Sequence, residues 1–158
     1  MKTAPDSRGW WWSSITILGI ALAVMVVFAL VKPDTPTPVR EIAMAPLSEM
    51  PDFVPQASEP AQQAYRFAAA NPDLIEHFPC YCGCVYLGHT SNLDCYIKAV
   101  KADGSIVFDE HAAYCKICVD ITGDVMKQWA EGRTIDAIHD RIVASYGQFG
   151  PSTEDPIQ

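Results

Sequence analysis

Hydrophobic positions along the chain follow three patterns, and each predicts a different kind of element. Between Ser13 and Val31 no charged residue interrupts an apolar run, and wound as an α-helix it is roughly 28 Å long, the hydrocarbon thickness of a bilayer. One membrane-spanning helix is expected there. Over residues 32–58 the pattern breaks, because Pro33, Pro36, Pro38, Pro46, Pro51 and Pro55 oppose both helices and sheet ladders, so this stretch reads as an extended tether. Ile42, Met44, Leu47, Phe53 and Val54 are unusually apolar for such a linker. Further on, apolar residues recur at helical spacing: Ile117, Ile121, Val125 and Trp129 form one stripe, and Ile135, Ile138, Ile142 and Tyr146 a second. Gly132 is placed to end the first helix and Thr134 to cap the next.

Between the tether and these stripes the signals are more local. Ala61 to Ala70 is rich in strong helix formers, and Asn71-Pro72 predicts its end and the start of a short helix leading through His77 to Phe78. Gly83, Gly88, Asn92 and Asp103-Gly104 predict loops, with one turn of helix around Leu93 to Val100. Asp109 is placed to cap a helix starting near Glu110 and running on through Cys118. The expected fold is mainly α: a small helical domain over 59–149 with an irregular Cys-rich loop, tethered to one N-terminal transmembrane helix. A short head (1–12) precedes the span (13–31), and an acidic tail (150–158) is expected to be disordered.

Charge sets the expected topology and excludes one class of partner. Lys2, Arg8 and the aromatic triplet Trp10-Trp11-Trp12 precede the apolar run, which predicts a cytoplasmic head and a C-terminal domain outside a bacterial cell membrane. Ala43-Met44-Ala45, the nearest match to a cleavage site, lies well past the span and is followed by Pro46, so the helix is read as an uncleaved signal anchor. The chain carries a net charge of −8. After residue 32, 8 Lys and Arg face 18 Asp and Glu, a balance of −10, which excludes a nucleic-acid partner and suits attraction of a cation or a basic protein. Gly-rich phosphate loops, nucleophile elbows and paired-carboxylate motifs are missing from the sequence, so binding is expected rather than turnover.

The candidate chemistry is confined to cysteines and histidines. Pro79-Cys80-Tyr81-Cys82-Gly83-Cys84 places three thiols within five residues, with His77 before it and His89 and Cys95 after it. Downstream, His111, Cys115 and Cys118 are spaced to share one helical face and to converge on one point. Three readings stay open. One is a soft-metal site, in which thiolates select cuprous copper, zinc or an iron–sulfur cluster. Zinc is usually held by paired C-x2-C or H-x3-H motifs, whereas cuprous copper tolerates dense C-x-C-x-C spacing, so copper leads and zinc is second. Another is thiol–disulfide exchange at Cys115 and Cys118, since C-x2-C pairs can have a lowered pKa. The last is a structural disulfide framework, because six cysteines in an oxidising compartment can form three bridges.

The hexapeptide Pro79 to Cys84, with Cys95, the Cys115-x2-Cys118 pair and the closing Gly132-Arg133-Thr134-x3-Ile138-x2-Arg141-Ile142-x3-Tyr146-Gly147, resembles the PCYCGC-motif family of exported bacterial proteins over roughly Tyr65 to Gly147. Members of that family are mostly lipid-anchored, so the resemblance implies a location at the membrane surface, here through a helix instead of a lipid. The stretch from Cys115 through Met126, Trp129 and Glu131-Gly132-Arg133-Thr134 to Tyr146-Gly147-Gln148-Phe149 is also similar to the small helical thiol subunit of cytochrome c maturation systems. That similarity implies a partner among oxidase or cytochrome assembly proteins.

Overall fold

Helix α1 (Glu59–Ala70) starts after Ser58 with Pro60 in its first turn, where the fixed φ of proline suits a helix and no needed donor is lost. In the computed structural model, which describes residues 39–155, this helix buries Ala61, Ala64, Tyr65, Phe67 and Ala68. Asn71 ends it, its N–H donating to the Phe67 carbonyl at 2.9 Å. Pro72 then opens the short α2 (Pro72–Ile75).

Helix α3 (Lys116–Ala130) buries Cys118, Ile121, Thr122 and Val125, a spacing of three and four residues that lays one stripe against the core. It packs on α1 and on α4 (Ile135–Tyr146). Gly132 adopts a φ of +79°, the left-handed conformation that lets the chain leave α3 without a Cβ clash. The Thr134 hydroxyl accepts from Ala137 N–H at 3.3 Å and caps α4.

Three expectations are corrected among the described residues. The turn of helix expected around Leu93 to Val100 is limited to a 3-10 turn at Leu93–Cys95. Strand β1 (Ile97–Val100) follows and pairs antiparallel with β2 (Ile106–Phe108), Ala99 facing Val107 and Val100 facing Ile106. The hairpin forms because Asp103-Gly104 makes its tight turn, Gly104 at φ +83°, between two β-branched runs.

The stretch expected to be an extended tether is, from Val39 onward, laid along the domain. Arg40 N–H donates to the Ala130 carbonyl at 3.0 Å, and its guanidinium sits 3.8 Å from the centre of the Trp129 ring. Ala45 and Arg66 exchange two hydrogen bonds, and Met50 and Val54 are buried. Burial of Met50 and Val54, worth about 1.5–3 kcal/mol each, together with half-burial of Ile42, Met44 and Phe53, outweighs the prolines, because proline forbids only regular ladders. The tail expected to be disordered is ordered through Asp155, with Ser152 and Thr153 buried. No helix among the described residues is long and apolar enough to cross a membrane; the expected span at 13–31 and the head before it lie outside the described residues.

Candidate metal centre

The PCYCGC segment is held at its first cysteine. Cys80 N–H donates to the Thr153 hydroxyl at 2.9 Å, and Thr153 N–H donates to the Cys80 carbonyl at 3.1 Å. The C-terminal segment therefore clasps the first cysteine like a short strand. Gly150 crosses so close to this loop that a Cβ there would lie 2.7 Å from the Tyr81 carbonyl oxygen. Gly83 takes φ +85° and turns the chain into a 3-10 turn at Cys84–Leu87; only glycine enters that conformation without strain. This turn swings Cys84 toward Cys95, the two sulfurs 3.6 Å apart.

The opposing segment differs from expectation. A single helix from Glu110 through Cys118 is replaced by a 3-10 turn at His111–Tyr114, an extended Cys115 and a helix that begins at Lys116. The cause is the buried Tyr65 hydroxyl, which donates to the Asp109 carbonyl at 2.7 Å and accepts Ala113 N–H at 3.1 Å, pulling this stretch off a continuous helical path. Asp109 still serves the turn, its carboxylate accepting His111 N–H at 2.7 Å. Cys115 is therefore the N-cap of α3, and Cys118 lies in its first turn.

A buried polar chain that the sequence reading missed fixes Cys118. Asn92 donates to the Thr122 hydroxyl at 2.7 Å, Thr122 to the Tyr96 hydroxyl at 2.8 Å, and Tyr96 to the Cys118 carbonyl at 2.9 Å. Asn92, Tyr96 and Thr122 have no exposed surface, and the chain ties the two ends of the 3-10 turn at Leu93–Cys95 to α3. The only local signal was a polar Thr122 inside the apolar stripe of α3.

These supports bring most of the candidate ligands together. Cys80 and Cys82 sulfurs are 3.5 Å apart, Cys80 and Cys118 3.5 Å, and Cys82 and Cys118 3.6 Å. His111 Nε2 is 3.3 Å from the Cys82 sulfur, and His89 Nδ1 is 3.4 Å from that of Cys95. The ligand atoms of Cys80, Cys82, Cys84 and Cys95 all lie within 4.8 Å of one another, as do those of Cys82, Cys95, His111 and Cys118. His77 is not part of the cluster: α2 buries Leu74 and Ile75 and leaves Glu76 and His77 in solvent before the chain turns inward at Phe78. Half-buried Cys115 stands beside Cys82 and Cys118 but outside both sets.

All six cysteines are free thiols, their sulfurs far beyond the S–S bond length of about 2.05 Å. Ionisation is shared unequally among them. Contact with the Cys118 thiol holds Cys80 down to about 4, against repulsion from Cys82. Thiol donors from Cys115, Cys118 and Cys80 hold Cys82 well below the usual range. The cost falls on their neighbours: Cys118 is raised by Cys115 and Cys80, Cys84 by Cys80 and Cys82, and Cys95 by Cys118 and Cys80. Negative charge thus concentrates on two cysteines of the hexapeptide while the thiols around them retain protons.

Chemically, the arrangement is a half-buried nest of soft donors able to hold a metal ion. Two ligands bound at about 2.3 Å to a tetrahedral centre lie about 3.8 Å apart, close to the sulfur separations here. A family described as protein of unknown function with PCYCGC motif matches residues 37–158. No curated protein and no solved structure matches the chain.

Proposed function

Since the chain belongs to the PCYCGC-motif family, with the match covering the whole described domain, we propose that it is a membrane-anchored, exported protein that binds soft metal ions, copper foremost, for handling or delivery. The observation that carries this reading is the convergence of Cys80, Cys82, Cys84, Cys95, Cys118 and His111, five thiols and one imidazole, with sulfurs at metal-ligand spacing. Soft thiolates favour cuprous copper and zinc over hard cations. Delivery is supported by the surface beside the cluster, where Tyr86 (73% exposed), Leu87 (66%) and Tyr114 (82%) lie within three residues of Cys84 or Cys115. Such apolar side chains suit a protein partner in oxidase or cytochrome assembly.

Anaerobic titration of the reduced full chain with cuprous copper against a chromophoric chelator tests the binding. Sub-micromolar affinity lost on replacing Cys82 and Cys84 with serine is expected; failure to compete with the chelator refutes the reading. Protease protection of the C-terminal domain in intact cells, equal to that of a cytoplasmic marker, would refute its export.

One observation favours a second reading. Cys115 lies at a helix N-terminus, where Cys118 and the dipole favour a thiolate although Cys82 and burial leave its thiol raised, and it lines an open groove of about 330 Å³ with Pro60, Tyr114 and Val119. In that reading Cys115 attacks a partner disulfide and Cys118 resolves the mixed disulfide, so the partner gains two thiols and this chain one disulfide. Its mark is a trapped mixed disulfide when Cys118 is replaced by serine.

A further inference from the structure

Resting on the soft-metal reading, we propose that the cluster is a two-ion site in which Cys82 and Cys95 bridge the ions through their sulfurs. The six donors do not form one coordination sphere. They form two mutually close sets, one of Cys80, Cys82, Cys84 and Cys95, the other of Cys82, Cys95, Cys118 and His111, and the residues common to both are Cys82 and Cys95. Each set has the four ligands of a tetrahedral ion, and two tetrahedra that share two ligands share an edge. The first ion then has Cys80 and Cys84 as its own ligands, and the second has Cys118 and His111.

The fold supports this division. Cys84 reaches its set by the glycine-enabled turn at Gly83 and stands 3.6 Å from Cys95. His111 reaches the other from the 3-10 turn before α3 and stands 3.3 Å from Cys82. Thiolate sulfur bridges two soft cations readily, whereas a protonated thiol or a lone imidazole does not, and both shared positions are cysteines. Charge favours a second ion as well. With one ion bound, thiols left without metal must keep their protons or carry unpaired charge, whereas two divalent ions against five thiolates and a neutral imidazole leave only −1. Unpaired buried charge is expensive, so each further cation lowers that cost.

A one-ion arrangement competes directly. Cys80, Cys82, Cys95 and Cys118 are also mutually close, since the Cys80 and Cys118 sulfurs are 3.5 Å apart. It would leave Cys84 and His111 without a metal.

The decisive probe is isotopically enriched cadmium, a thiolate-seeking divalent ion with an NMR-active nucleus, added to the reduced full chain in detergent. Two cadmium ions per chain and two cadmium resonances split by coupling through the shared sulfurs are expected. Cys84→Ser should displace one resonance and His111→Ala the other, while Cys82→Ser should displace or abolish both. One bound ion with a single resonance overturns the two-ion site and leaves the binding reading standing, as does a Cys82→Ser variant in which one of two resonances is unmoved. No bound cadmium overturns both readings. The stoichiometry and coupling of the unmodified chain decide the question even if a variant fails to fold.

Discussion

The two halves of the cluster are built by opposite means. Cys80 to Cys95 is delivered by irregular backbone, held by a left-handed glycine at Gly83, the clasp between Thr153 and Cys80, and the close crossing at Gly150. Cys118 is delivered by a regular helix whose first turn is tied down through Tyr96, Thr122 and Asn92. The loop half gathers many donors at short sequence distance, at the cost of backbone that only long-range contacts hold in place. The helical half contributes few donors but a rigid reference against which the loop is registered. A site assembled this way has one wall of irregular backbone, here called the adaptable wall because no regular element holds it, and one fixed wall on a helix.

The largest effect should come from comparing a shared thiol with an outlying one. Cys82→Ser should weaken cuprous copper binding by at least about 100-fold, and Cys115→Ser by less than about tenfold, read by chelator competition; equal losses would dissolve the distinction between cluster and periphery. Next in size is the effect of pH. Cys84, Cys95 and Cys118 are raised and hold protons at neutral pH, whereas Cys80, held to about 4, is already ionised. A metal must displace the former, so apparent affinity should rise with pH through neutrality, by about tenfold per pH unit for each proton released. Proton release measured in weakly buffered solution checks it, and a pH-independent affinity would contradict the cluster's ionisation pattern.

The fixed wall can be weakened without touching a ligand. Tyr96→Phe removes the hydroxyl linking Thr122 to the Cys118 carbonyl in a fully buried site, which should cost about 1–3 kcal/mol in thermal or denaturant unfolding. On the adaptable wall, Gly83→Ala forces a side chain into the left-handed region and should cost about 1–2 kcal/mol. Metal affinity should fall more with Gly83→Ala than with Tyr96→Phe if the loop is the wall that adjusts. The smallest effect expected is that of Arg40→Ala, which removes a cation–π contact with Trp129 and should cost about 0.5–1 kcal/mol while leaving metal affinity unchanged.

Much of this was legible along the chain. The stripes of α3 and α4, the stop at Gly132 and the cap at Thr134 depend on residues at most four apart, and local spacing decides them. The density of thiols in Cys80 to Cys84 likewise announced soft-ligand chemistry without any fold. The meeting of His111 and Cys118 was expected from helical spacing, yet it is achieved by a 3-10 turn and an extended Cys115, because the hydroxyl of a tyrosine more than forty residues earlier donates one hydrogen bond to that stretch and accepts another from it. The hairpin was overlooked although Asp103-Gly104 between Ile97–Val100 and Ile106–Phe108 is a turn signal, since its strands are too short for alternation to stand out.

By itself, then, the sequence determined the stripes of α3 and α4, the stop at Gly132 and the cap at Thr134, the family and the kind of atom offered for binding, since each depends on near neighbours or on composition. The tertiary structure alone decided that residues from Val39 lie on the domain, that Thr153 clasps Cys80, that His77 stays in solvent, and that Cys82 and Cys95 occupy the middle of the cluster. Those outcomes depend on which distant surfaces meet, and a contact between residues tens of positions apart leaves no periodic trace along the chain.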